Sequence, residues 1–114
     1  MNKKILEDRT KKFAHDCVKV ALSLPETPLG RHIRGQLIRC STSVAANLAH
    51  SKAAFVAKLS IVIEESDESG FWFEFATEER LLNDSISSLL IKESGELASI
   101  LISSRKSIQT ENNK

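Results

Sequence analysis

The side chains that could do chemistry in this chain are few, and their spacing brings none of them together. There are three histidines, His15, His32 and His50, and two cysteines, Cys17 and Cys40. His15 and Cys17 are two residues apart, which on a helix points them to different faces, and the other two histidines stand alone in sequence. Glu64 and Glu68 (i, i+4) and Glu65 and Glu68 (i, i+3) share a helix side. Di-metal carboxylate bundles combine such glutamates with a histidine three residues on, and here no Glu is followed by one. The acidic run therefore reads as a solvated face. A nucleophilic cysteine needs a neighbouring base and an electropositive setting. Cys17 falls on an apolar stripe and reads as core. Cys40 follows Arg39, but packing is the preferred reading there too. There is no HExxH, no GxSxG elbow and no phosphate-cradling loop, the four glycines being scattered. The sequence points away from an enzyme and implies neither cofactor nor metal.

Charge suggests binding instead. Net charge is only +1, but residues 1–58 hold 11 Lys or Arg against 4 acids, and residues 59–114 hold 5 against 11. One reading is pairing between antiparallel helices of the same bundle. The sharper reading is that the basic half meets an acidic partner, either RNA or DNA or the acidic half of another subunit. Lys11, Lys12 and Lys19 in the first helix, Arg31, Arg34 and Arg39 in the second, and Lys52 and Lys58 beyond it are the candidate nucleic-acid contacts. Such binding would be dominated by phosphates and sensitive to salt. No base-reading module is visible.

Long elements must carry these residues, since 114 residues contain only four Gly and two Pro. The first helix is expected from about Asp8, as N-cap, to Leu24, with Phe13, Cys17, Val20 and Leu24 on its stripe and Pro25 as its stop. Thr27 caps the second helix, with Pro28 at its first position. Ile33, Leu37, Cys40, Ser41, Val44 and Leu48 form its stripe. Ser51 reads as the cap of the third, whose stripe is Phe55, Leu59, Val62, Ile63, Ser66, Gly70 and Phe73. Phe71, Trp72, Phe73 and Phe75 cannot all face one core, so Phe71, Trp72 and Phe75 are the candidate oligomer interface. Asn83 caps the fourth helix, with Ile86, Leu89, Leu90, Leu97, Ile100, Leu101 and Ile108 on its stripe.

The fold expected is all-α: an antiparallel up-down-up-down four-helix bundle, one domain over 1–110 with a disordered tail, 111–114. No apolar run approaches a membrane span and no secretory segment opens the chain, so a cytoplasmic protein with reduced cysteines and no membrane contact is expected.

Several segments together resemble a known family. Arg39-Cys40-Ser41-Thr42-Ser43-Val44-Ala45-Ala46-Asn47 is similar to the R-x-[GA]-[TS]-S-[VI]-[GA]-A-N segment of the small bacterial bundles called 23S rRNA intervening-sequence, or S23-type, proteins. Ser51-Lys52-Ala53-Ala54-Phe55, Lys58-Leu59-Ser60-Ile61-Val62 and Glu64-Glu65-Ser66-Asp67-Glu68-Ser69 with Trp72 match its second conserved block in order. Asp8 to Ala14 and Ser23-Leu24-Pro25 also fit. The resemblance implies a homopentamer of four-helix bundles. It also implies kinship with the accessory variability determinant proteins of diversity-generating retroelements, basic pentamers that bind nucleic acid and a reverse transcriptase. Two departures stand out. Only Leu48, Ala49 and His50 separate Asn47 from Ser51, about five residues or roughly 1.4 helical turns fewer than usual, and Ala54 replaces a common Glu. The function expected is thus a non-catalytic homo-oligomer engaging RNA or DNA through its first two helices. The alternative is a structural or protein-interaction module whose charge asymmetry serves self-assembly.

Overall fold

The computed structural model describes residues 2–49 and 55–112. Four helices follow one another: α1 (Lys3–Leu22), α2 (Pro28–Ala49), α3 (Phe55–Glu78) and α4 (Asp84–Asn112). Each packs on the next, α1 also touches α4 more lightly, and among the described residues the backbones of the diagonal pairs α1/α3 and α2/α4 do not approach each other, their side chains meeting only in the shared core. The result is an antiparallel up-down-up-down four-helix bundle, 52 × 21 × 20 Å, the architecture that the apolar stripes and short connections imply.

Local chemistry sets the ends of these helices. Thr27 Oγ1 accepts the Gly30 N–H at 3.0 Å, and Asn83 Oδ1 accepts the Ile86 N–H at 3.1 Å, so both expected caps satisfy an otherwise orphaned donor. α1 begins earlier than the sequence suggests. Asn2, not Asp8, is its cap, accepting the Ile5 N–H at 2.8 Å. Asp8 lies within the helix and pairs with Lys4 at 3.0 Å. The extra turn brings Leu6 into the core, a burial that outweighs a modest capping preference. Ser23 then caps α1, one residue before Leu24. Ser51 as a cap, Lys52 and the side chain of Phe55 lie outside the described residues.

α3 stops without a glycine. Arg80 takes the left-handed conformation at φ 62°. The Leu81 N–H bonds to Ala76 O at 2.9 Å and the Arg80 N–H to Thr77 O at 2.9 Å, the reversed pair of bonds that closes a helix with a left-handed residue. α4 runs on to Asn112. Residues 111 and 112 are therefore helical rather than part of a tail, continuing a helix whose Ile108 still packs on the core.

The core holds Phe13, Cys17, Ile33, Leu37, Val44, Leu48, Leu59, Val62, Phe73, Leu97 and Leu101, as the stripes anticipate. α4 is the exception. Ile86 and Leu89 are exposed, Leu89 by 70%, while Ser87, Ser94 and Ala98 are buried. Between the inward leucines Leu90, Leu97 and Leu101 the inward side of α4 carries small residues, and at Ser94 α3 approaches closely. A Cβ placed on Gly70 would stand 2.7 Å from Ser94 Oγ, so a bulky side chain at position 94 would hold the two helices apart.

Candidate interaction surfaces

The basic residues divide into two populations. On α2, Arg34 donates to Leu24 O at 2.7 Å and pairs with Glu26. That contact holds the Glu26 carboxyl below its ordinary range, first through the hydrogen bond and then through the charge. Arg39 spans to α3, reaching Glu65 at 3.0 Å and Glu68, and also Gln36 Oε1 at 3.1 Å. Arg31 reaches back to Glu26 O at 3.0 Å. On α3, Lys58 donates to Asn47 Oδ1 at 3.1 Å. These side chains stitch the bundle and its first loop together. α1 differs. Lys12 pairs with Asp16 at 2.8 Å one turn on, but Lys11 and Lys19 are exposed and have no ion-pair partner among the described residues. Of the seven candidate basic positions among the described residues, Lys12, Arg31, Arg34, Arg39 and Lys58 are thus engaged within the chain, and the two without an ion-pair partner lie on α1.

The aromatic residues do gather. Phe73 is fully buried, whereas Phe71 on the next position is 52% exposed. Around Phe71 stand Trp72, edge-on at 5.0 Å between ring centroids, and Phe75 at 6.0 Å. Trp72 and Phe75 are 6.0 Å apart. His32 of α2 completes the cluster, edge-on to Trp72 at 5.5 Å, and Glu68 Oε1 accepts the indole N–H at 3.4 Å. Helical periodicity explains the split: Phe73 falls on the inward stripe, and Phe71 and Phe75, four apart, fall on the outer side. The sequence located the cluster but missed His32, because its proximity to Trp72 requires the α2/α3 packing. The flanks of α3 are acidic: Glu64, Asp67, Glu74 and Glu78 are all exposed.

The α1/α4 seam carries a contact that the sequence did not suggest. Arg9 makes a two-pronged contact with Glu93, at 2.7 and 2.6 Å, and a further bond to Glu96 at 2.8 Å. The Glu93 bond above all raises the guanidinium pKa. No local spacing could have revealed it, since the partners are more than eighty residues apart. Below this latch the seam opens into a groove of about 650 Å³ lined by Leu6, Leu48, Leu59, Ile100 and Ile108, with serines along its α4 side.

Neither cysteine is available for chemistry. Both are buried and free, and burial raises both thiols, Cys17 very strongly. Ser69 Oγ donates to Cys40 Sγ at 3.2 Å. Among the described residues no three His, Cys, Asp or Glu side chains gather as metal ligands would, and no helix is long and apolar enough to cross a membrane.

A likeness to a solved structure accompanies this geometry. A crystal structure of a protein of unknown function from the S23 ribosomal protein family of Bacteroides thetaiotaomicron superposes with a TM-score of 0.82 at 25% identity, over 93% of this chain and 99% of that one. The likeness covers the whole bundle and supports the link to that family drawn from the motifs. No family model matches the chain, and no curated protein is similar to it at a significant level.

Proposed function

We propose that this chain is a non-catalytic bundle that works by self-association, with the aromatic cluster of α3 as its contact surface. The carrying observation is Phe71, half exposed and flanked by Trp72 and Phe75, with His32 packed on the far side of the cluster against Trp72. Trp72 and Phe75 pack partly against the core and leave Phe71 as the exposed crown of the cluster, and exposed aromatic surface of this kind beside polar residues is the usual composition of an interface centre. Covering such apolar surface favours association, and a stable interface needs about 1,000 Å² in total. The family resemblance, with its implied five-fold assembly, supports the same reading. Sedimentation velocity between about 1 and 100 μM tests it. Species heavier than one chain are expected, and Phe71→Glu should return them to monomer. A wild-type monomer at about 100 μM would overturn the reading.

A second reading, binding of RNA or DNA, rests on the exposed and unpaired Lys11 and Lys19 of α1, with Lys12 beside them, and on the resemblance to the nucleic-acid-binding pentamers. Electrophoretic shift with duplex DNA and structured RNA at about 50 mM salt should show complexes that weaken steeply as salt rises. No complex at that salt would remove it.

A further inference from the structure

If the α3 face is an assembly surface, it needs a receiving surface, and we propose that this is the outer face of α1 of a second copy, so that copies join head to tail. The inference rests on the self-association reading and adds the identity of the mating face.

Charge is the first observation. The outer side of α3 presents Glu64, Asp67, Glu74 and Glu78, all exposed and without an ion-pair partner among the described residues. Two α3 faces brought together would set these carboxylates against one another, which costs rather than stabilises. The outer side of α1 presents Lys11 and Lys19. Its exposed acid Asp8 and half-exposed Asp16 are each held by a lysine one turn away, Lys4 at 3.0 Å and Lys12 at 2.8 Å.

Spacing is the second. Lys11 and Lys19 are eight residues apart, a rise of about 12 Å, and Asp67 and Glu74 are seven apart, about 10 Å. Measured back from Leu22 and Glu78, the last residues of α1 and α3, Lys11 and Asp67 both lie eleven residues in. Lys19 lies three in and Glu74 four. The exposed Ile5 and Ile61 both lie seventeen in. Because α1 and α3 run the same way in the bundle, two copies side by side in one orientation bring opposite charges to one height and apolar residues to another. His15, seven in, stands level with Phe71.

Topology is the third. α1 and α3 occupy opposite corners, with no close backbone approach among the described residues, so their outer faces look away from each other and one copy can use both at once. A join between two different faces is heterologous. It closes into a ring if the rotation allows and otherwise extends.

Two variants with exposed substitutions test the pairing, with circular dichroism confirming that each keeps its helix. The double variant Lys11→Glu with Lys19→Glu spoils the receiving face and leaves α3 intact. Phe71→Glu spoils the donating face and leaves α1 intact. Each alone should sediment as a monomer, and an equimolar mixture should form a one-to-one pair that grows no further. The lysine double variant assembling like wild type would overturn the pairing while leaving self-association standing. A mixture that stays monomeric would overturn it as well. So would a double variant that loses nucleic-acid binding but still assembles, since α1 would then serve a different partner. A wild-type chain that never leaves the monomer would remove the self-association reading and this one with it. Raising salt from about 0.05 to 0.5 M should weaken wild-type assembly at least tenfold, because the matched charges are exposed.

Discussion

α4 meets its two neighbours by different means. Against α3 the contact is close and holds no ion pair among the described residues, Arg105 reaching only the Ser60 hydroxyl at 3.1 Å. Gly70 faces Ser94, Ser66 Oγ donates to Ser94 O at 2.8 Å, and Phe73, Leu97 and Leu101 fill the space around them. Against α1 the contact is lighter, is held by Arg9 on Glu93 and Glu96, and gives way to a groove. Neighbours joined by a short turn can rely on packing because the turn already limits their separation. The first and last helices have no such tether, and an ion latch closes that seam. The α3/α4 seam should therefore answer to volume and the α1/α4 seam to charge.

The largest effect is expected from emptying the packed seam. Leu97→Ala removes a fully buried side chain and should cost about 2–5 kcal/mol. It would be read in urea as a lower midpoint at nearly unchanged slope. Overfilling the same seam comes next. Gly70→Val drives a branched side chain toward Ser94 and should cost about 1–3 kcal/mol. Gly70→Ala should cost less, because the obstacle is only the Ser94 hydroxyl, which can turn away at the loss of its 2.7 Å bond to Ile91 O.

The latch should be weaker. Arg9→Ala leaves two carboxylates unpaired and should cost about 1–2 kcal/mol. Being part-exposed, it should cost less at high salt, which Leu97→Ala should not. If both variants respond equally to salt, the division between a packed seam and a charged seam fails.

Alkaline pH acts on neither seam and serves as a control. Burial holds the thiols of Cys17 and Cys40 protonated in the folded bundle, while in the unfolded chain they ionise near the ordinary 9.0. The unfolded state therefore binds fewer protons above that pH, and stability falls as pH rises through it, by about 1 kcal/mol for Cys17 at pH 10. Thermal melts from pH 7 to 10 should show the decline, and Cys17→Ala should reduce it. Arg9→Ala should leave it unchanged.

How legible this was in the sequence follows from the same division. The stripes of α1, α2 and α3 could be read because their inward positions carry large apolar residues at helical spacing. The stripe of α4 holds at Leu90, Leu97 and Leu101 but not at Ile86 and Leu89, which outrank the buried Ser87 and Ser94 in hydrophobicity; at Ser94 the close approach of Gly70 is what turns a small residue inward. The start of α1 was misplaced because Asp8 looks like a cap and the burial of Leu6 is a tertiary fact. The Phe71, Trp72 and Phe75 cluster was legible from crowding alone. The basic candidates were legible as charges but not as free or engaged ones, because Arg39 finds Glu65 and Glu68 only once α2 and α3 are paired.

The smallest effect should come from the outward side of α4. Gly95 is exposed, and a Cβ there meets nothing within 4 Å, unlike one at Gly70. Gly95→Ala should therefore stabilise the monomer, by about 0.5–1 kcal/mol, through helix propensity alone. Urea melts of this variant and of Gly70→Ala, run on a Phe71→Glu background to hold the chain monomeric, should move in opposite directions. Two midpoints moving together would mean that the close approach at Gly70 is not what distinguishes the α3/α4 seam. If Gly95→Ala is stabilising in that monomer yet weakens assembly of the Phe71-intact chain, the outer face of α4 belongs to the interface as well, and the mating surface extends beyond α1.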